Sequence, residues 1–287
     1  MDQWRKLRVL DAGFFEKIYY AVNIHPSSFL SASVAAVKCA DMHRSISLQQ
    51  EAKILITLKD SPYVVQFIGA DVSINNDNIS TYNLFLEYAS GGSLHDLINN
   101  YKRGMRKMSE LEPANVLVFD NAERGGMHKL KLTDFGLSLR VPKGVAYMTG
   151  ATLSNRGTLI YVPPESLTSG FHGRAYDIWL LGCTVTEMMT GSRVWIYRNT
   201  RDLQSQIMNE YPMIWGNVSE MANDFLHKCL IKDRLRRWTS EQLLQHPFIQ
   251  QVVCSWMPET QRRTARVNPS GCTVSVPEKH LLLHQLV

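Results

Sequence analysis

The chain has 287 residues, 45% of them apolar, and a formal charge of +5. That is enough chain for one large two-lobed domain or two ordinary ones with real cores, and its charge excess holds no Lys/Arg run dense enough to argue for nucleic acid. The five cysteines, Cys39, Cys183, Cys229, Cys254 and Cys272, are scattered and lack CxxC pairing; this disfavours a disulfide framework or a zinc site and suits free thiols in a reducing compartment.

The charged start Met1-Asp2-Gln3-Trp4-Arg5-Lys6 lacks the apolar centre of a secretory signal, and no apolar run reaches membrane-spanning length. The expectation is a soluble intracellular protein, cytoplasmic with the nucleus as alternative, with no membrane partner and an idle sequon at Asn217-Val218-Ser219. The first ninety residues are strand-rich: Ile18 to Val22, Ser33 to Lys38 and Tyr82 to Tyr88 are β-branched or aromatic runs of strand length. Between them, Ser47 to Lys59 has helical spacing, with Leu48, Ala52, Leu55 and Leu58 on one face. Gly91-Gly92 breaks the chain, and Ser93 is placed to cap a short helix from Leu94 to Asn99.

From about residue 175 the pattern turns helical. Ala175 to Thr190 is apolar on most sides, as in a core helix, and stops at Gly191. Helices are also expected over Ala222 to Leu230 and Thr239 to Val252, the second opening on a capping box, Thr239 with Gln242. The reading is an α+β fold of two lobes with a cleft between them: residues 4–89 as an antiparallel β-sheet lobe, 90–249 as a mainly helical lobe, and 250–287 as a largely disordered tail.

Three features converge on phosphate and metal chemistry. Lys38 ends the apolar strand Ala35-Ala36-Val37-Lys38, Glu51 lies thirteen residues later inside the amphipathic helix, and Asp134-Phe135-Gly136 follows the strand Leu130-Lys131-Leu132-Thr133. A carboxylate at a strand end beside glycine suits a magnesium ligand. In this order the residues resemble those of the eukaryotic protein kinases, serine/threonine type. The resemblance implies ATP and Mg²⁺ as cofactors. It implies that Lys38 holds the α- and β-phosphates with Glu51 as its helix partner, that Leu86 is the gatekeeper, and that Glu87-Tyr88-Ala89 is the hinge meeting adenine. Gly13, Ile18 and Ala36 would complete the nucleotide site, and Asn115, in Pro113-Ala114-Asn115-Val116-Leu117, would join Asp134 as metal ligand. Further along, Gly157-Thr158 and Pro163-Pro164-Glu165 match the end of an activation segment, where Thr158 would face the substrate hydroxyl. Thr149, Thr152 and Ser154 are hydroxyls of the same segment open to phosphorylation. Asp177-Ile178-Trp179 with Gly182 matches the core helix, Arg237 would pair with Glu165, and His246 is read as structural. The stretches Ser61-Pro62-Tyr63-Val64-Val65 and Leu86 to Leu94 are most similar to MAP kinase kinase kinases, especially plant ones, which implies a protein substrate such as a MAP kinase kinase.

The chain departs from that family in two places. The three glycines of the nucleotide loop fall on Asp11, Gly13 and Glu16, so one survives and two are replaced by acids near a negative ligand. Each such repulsion costs about 1 kcal/mol in bulk water, which predicts weakened rather than abolished ATP binding. The interval from the hinge to Asn115 is shorter than the family's by roughly two dozen residues, so part of helix E and the His-Arg-Asp loop are missing. By family spacing the base falls on Glu110, a weak candidate, with Met108 and Glu112 in place of the loop histidine and lysine. The gap is abrupt and flanked by good matches, which points to a skipped exon or a gene-model join. The chain as written is expected to be weakly active or inactive, with a nucleotide-binding pseudokinase as the alternative.

Overall fold

The computed structural model describes residues 4–13, 16–24, 32–74, 78–101, 115–119, 128–139, 147–149 and 158–256. Glu110, Met108, Glu112, Thr152, Ser154 and the tail beyond Trp256 lie outside them. The chain divides into two compact units, Met1–Leu139 and Arg140–Val287. The architecture is α+β, an N-terminal antiparallel sheet followed by a helical region.

The first unit is built on five antiparallel strands, β1 (Trp4–Ala12), β2 (Lys17–Asn23), β3 (Val34–Asp41), β4 (Phe67–Ile74) and β5 (Ser80–Leu86), in the order β1-β2-β3-β5-β4. Strand twist curls the sheet strongly: Trp4 of β1 lies 5.6 Å from Phe85 of β5 between ring centres, although β2 and β3 separate them in the order. Inside the curl Ala21, Ala35, Val37, Cys39 and Phe85 form a core. Their small side chains let the sheet close tightly. The two strands that periodicity does not single out, β1 and β4, are the two edges. Edge strands keep polar and charged residues to block further pairing, which blurs their alternation.

Helix α1 (Ile46–Thr57) packs against β4 and β5 and buries Leu48, Glu51, Ala52 and Leu55. Leu48 and Leu55 are fully enclosed, each contributing about 1.5–3 kcal/mol. Helix α2 (Leu94–Tyr101) is started by reciprocal caps: Ser93 Oγ accepts from the Asp96 N–H at 3.1 Å, and the Asp96 carboxylate accepts from the Ser93 N–H at 3.1 Å. Leu94 and Ile98 of this helix pack on Val118. Val118 belongs to the hairpin β6 (Val116–Phe119) and β7 (Lys129–Leu132), whose register sets Val116 opposite Leu132. The hairpin docks directly on the chain after the hinge: Gly91 N–H donates to Val118 O, and Val118 N–H donates to Gly92 O, both at 2.9 Å. A Cβ on Gly91 would sit 2.8 Å from a Val118 methyl, so this approach requires glycine.

In the second unit β8 (Tyr147–Met148) pairs with β9 (His172–Gly173), and α3 (Pro164–Ser169) lies between them in the chain. Helix α4 (Arg174–Thr190) buries Ile178, Trp179, Gly182, Cys183, Thr186 and Glu187 and ends at Gly191. It is the core helix expected from an apolar surface on most sides, with Met188 and Met189 exposed in its last turn. Helix α6 (Glu220–Cys229) lies so close to α4 that a Cβ on Gly182 would meet Cys229 Cβ at 2.7 Å. Helix α5 (Thr200–Asn209) adds Leu203 and Ile207 to the buried set.

The single helix expected over Thr239 to Val252 is two: α7 (Ser240–Leu244) and α8 (Pro247–Trp256). Both capping-box bonds between Thr239 and Gln242 are formed. The break comes from Pro247, which has no N–H to continue α7 and instead opens a new helix. At the turn, His246 bonds Asp224 at 3.1 Å and accepts the Phe248 N–H at 3.1 Å on a buried, aromatic-lined seat. Cys39, Cys183 and Cys229 are buried thiols outside any disulfide. Among the described residues no helix is long and apolar enough to cross a membrane.

Candidate functional site

Lys38 stands on the central part of the sheet, opposite Ile18 of β2 on one side and Leu84 of β5 on the other. Its ammonium is 5% exposed and donates to both carboxylate oxygens of Glu51, at 2.9 and 3.0 Å, and to Asp134 Oδ1 at 3.2 Å. Glu51 is the acid on the buried face of α1, one turn from Leu48 and Leu55. The helix that packs the sheet therefore also delivers the partner for the cation. Asp134 is delivered by β7: the backbone turns left-handed at this residue, with φ +62°, which costs about 1–2 kcal/mol and is tolerated by aspartate better than by most residues. Its side chain keeps 46% exposure, so one of the three acid oxygens around Lys38 belongs to a group open to solvent and to ligands.

Electrostatically the cluster is acidic. Burial works against the Lys38 cation, but Glu51 and Asp134, with Glu16 adding to them, raise its pKa above the ordinary lysine value. Burial pushes the Glu51 carboxyl up, and Asp134 and Glu16 push the same way against the pull of Lys38. One cation thus faces the carboxylates of Glu51, Asp134 and Glu16. Glu16 follows the tip of the β1–β2 hairpin, where the Gly13 N–H donates to Glu16 O at 2.8 Å, and its carboxylate accepts from Ser47 Oγ at 3.4 Å. Ser47 also borders Gly136, so the loop acid reaches the neighbourhood of the Asp134-Phe135-Gly136 turn. A Cβ on Gly13 would meet only ordinary contacts, and Asp11 pairs with Ile18 across the hairpin.

The remaining first-unit residues gather on the same framework. Ala36 pairs with Leu86 across β3 and β5. Asn115 is brought next to the metal-ligand candidate by the β6–β7 register, its carbonyl accepting the Thr133 N–H at 2.9 Å. The Glu87 N–H is taken by Gln66 O at 3.0 Å, whereas among the described residues neither the Ala89 N–H nor the Glu87 carbonyl is used by a hydrogen bond. A free donor and a free acceptor two residues apart, beside a small Ala36 and a cation, fit an adenine nucleotide. Asp134 and Asn115 are the hard oxygen donors magnesium takes, and among the described residues no group of three His, Cys, Asp or Glu side chains could hold a metal alone. A divalent ion here would lean on a ligand's phosphates for the rest of its shell.

The second unit holds the other named residues. Arg237 is buried and bidentate to Glu165, at 2.7 and 3.0 Å, and donates further to Ile231 O at 2.8 Å and Ala175 O at 2.6 Å. Its guanidinium lies 4.9 Å over the Trp179 ring. Thr158 is exposed and starts the turn Leu159–Tyr161. Asp177, in the first turn of α4, has a tip that solvent reaches, yet it is densely crowded, and that desolvation pushes its carboxyl up to about 7. No hydrogen bond to a described residue offsets the crowding.

Motif order passes over Lys131. In Lys129-Leu130-Lys131-Leu132 the alternation would turn a lysine face outward, but Lys131 is buried and Leu130 is 38% exposed. Lys131 bonds the Glu87 carboxylate and lies 4.7 Å over the Phe119 ring. The signal is a hinge acid that needs a buried counter-charge, and only the pairing of distant segments reveals it.

A sheet with a buried lysine–glutamate pair and an aspartate just after a strand, followed in the chain by a helical region with a Glu–Arg anchor, is the arrangement of a protein kinase fold, and the comparisons agree. The model of the protein kinase domain matches residues 108–249, and the chain belongs to the protein kinase family. It is similar to two Arabidopsis thaliana proteins. Mitogen-activated protein kinase kinase kinase 20 is 30% identical over 276 positions, with 86% of this chain and 78% of that protein covered. Mitogen-activated protein kinase kinase kinase 18 is 35% identical over 252 positions, covering 76% and 70%. A human relative, mitogen-activated protein kinase kinase kinase 4, is 29% identical over 276 positions, which is 88% of this chain but 16% of that protein. The first alignment is 276 positions long yet draws on only 86% of these 287 residues, so the relative has positions with no counterpart here.

Proposed function

We propose that this chain is a serine/threonine kinase family member of a MAP kinase cascade that holds MgATP at Lys38, Asn115 and Asp134 but transfers phosphate weakly or not at all. The observation that carries the reading is the three-way contact of Lys38 with Glu51 and Asp134. Glu51 aims the ammonium, Lys38 meets the phosphates, Asp134 and Asn115 offer oxygens to magnesium, and Glu87 to Ala89 meets the base. The nucleotide would supply the γ-phosphoryl group for a protein Ser/Thr hydroxyl, with Thr158 on the substrate side. Between Tyr101 and Asn115 the sequence has no aspartate to take the hydroxyl proton, the segment that carries it in the family being shortened; a missing general base slows transfer by about 10²- to 10⁴-fold. The partner would be a protein substrate such as a MAP kinase kinase, met in the cytoplasm.

The second reading, a pseudokinase that acts by binding alone, is favoured by Glu16, whose negative charge bears on Lys38 where phosphates would enter. Two measurements on the full chain separate the possibilities. MgATP binding is followed by calorimetry, and radiolabel transfer to a MAP kinase kinase is followed beside an Asp134→Ala control. Weak binding that the control loses, with little transfer, is the expected result. No MgATP binding by the unaltered chain would sink the nucleotide site, and brisk transfer abolished in the control would sink the pseudokinase reading.

A further inference from the structure

We infer, on the reading that Glu87 to Ala89 meets an adenine ring, that Lys131 is a positioning residue for the base: it locks the hinge to the strand that carries Asp134. Glu87 and Gln66 are joined twice, the Gln66 N–H donating to Glu87 Oε1 at 2.7 Å and the Glu87 N–H donating to Gln66 O at 3.0 Å. Lys131 binds the same Glu87 oxygen and closes the group. Gln66 is itself fixed, its side-chain amide donating to Ser61 O at 2.9 Å and Val64 O at 3.0 Å. The same strand is laced to this segment by its backbone, Leu132 N–H to Tyr63 O at 2.8 Å and Val65 N–H to Leu132 O at 2.9 Å.

The contacts of Lys131 with Glu87, and of Leu132 with Tyr63 and Val65, fall three and two residues before Asp134 in the chain. The height of the hinge backbone and the place of the metal carboxylate are therefore set by one brace, β7, with Lys131 as its charged contact to the hinge. A buried ion pair is a poor source of stability compared with apolar packing of the same size, and its attested use is to specify geometry. An apolar side chain at position 131 would follow the strand's burial more cheaply. Lysine there, at 8% side-chain exposure against a Glu87 that is 25% exposed, makes the hinge the element being positioned.

The test separates the base from the phosphates. Binding of adenosine, and of magnesium tripolyphosphate as a base-free probe, is measured by calorimetry for the unaltered chain, Lys131→Met, Lys131→Arg and Glu87→Gln. Lys131→Met should weaken adenosine about tenfold, a coupling of the size found between contacting residues, and leave tripolyphosphate within about twofold. Lys131→Arg should recover most of the loss, and adding Glu87→Gln to Lys131→Met should cost nothing more. Equal weakening of both probes, or of neither, overturns the positioning role. If Lys131→Met does not fold, Glu87→Gln alone must show the same split for the inference to stand. An unaltered chain that binds tripolyphosphate but not adenosine overturns the hinge as the base site and this role with it, whereas one that binds neither overturns the nucleotide reading itself.

Discussion

Two of the ion pairs buried among the described residues, Arg237–Glu165 and Lys38–Glu51, look alike in burial and differ in what they leave over. In the second unit Arg237 and Glu165 neutralise each other, and the guanidinium is further saturated by backbone carbonyls and the Trp179 face. In the first, Lys38 is also fully bonded, but to Glu51 and Asp134 together, with Glu16 adding a third negative field, and Asp134 remains half exposed. The closed, neutral pair is a fastener. The open one carries surplus negative charge around a single cation, a setting that favours a divalent ion at Asp134, while the field of Glu16 opposes that ion's phosphates. Charge balance and access, rather than burial, tell the functional pair from the structural one.

That contrast can be broken by experiment. Arg237→Met should have the largest effect, leaving Glu165 and the carbonyls of Ile231 and Ala175 without their donor; stability should fall by about 3–5 kcal/mol in chemical denaturation. A loss below about 1 kcal/mol would show the pair is no fastener. Lys38→Met should cost less, about 2–3 kcal/mol near neutral pH, because Glu51 can escape its unpaired charge by taking a proton. The sign follows from the raised Glu51 pKa: its contribution is fully present below the unfolded carboxylate value and is lost as pH rises through the folded one. Acidifying Lys38→Met should therefore narrow its deficit against the unaltered chain, and a deficit that widens on acidification would refute this assignment.

Glu16→Ala should sharpen the contrast from the ligand side. Removing one repulsion of about 1 kcal/mol should tighten MgATP about fivefold while leaving adenosine unchanged. Equal gains for both ligands would show that Glu16 acts on the fold and not on the phosphates. The smallest effect is expected at Asp177. With its folded pKa raised to about 7, this group's contribution to stability is complete below about pH 4 and lost as pH rises through 7. Asp177→Asn should flatten that part of the stability–pH curve, and an unaltered slope would remove Asp177 as its source.

Much of the site was legible before any coordinates. Glu51 on a helix face and Asp134 just after a strand sit where local patterns put them, whereas Lys38, read as a strand end, lies inside β3 because Cys39 to Asp41 continue the ladder with β5. The capping box at Thr239 and the stop at Gly191 were legible for the same reason, since helix ends are settled by a few neighbouring residues. Strands β1 and β4 were not singled out, because edge strands carry the charges that hide a period of two. Apolar spacing runs on through Pro247, but the missing N–H there splits the expected helix into α7 and α8.

Read alone, the chain already carries the order of the chemistry-bearing residues, the family they belong to, and the shortness of the interval before Asn115. Those properties live in residue identity and spacing along the chain. Folding alone turns Lys131 inward, makes Gly91 obligatory, brings the field of Glu16 to Lys38, and leaves Asp177 crowded with no hydrogen bond to a described residue. Each depends on what a segment distant in sequence contributes, be it a carboxylate, a methyl group or close-packed neighbours, and no local period records it.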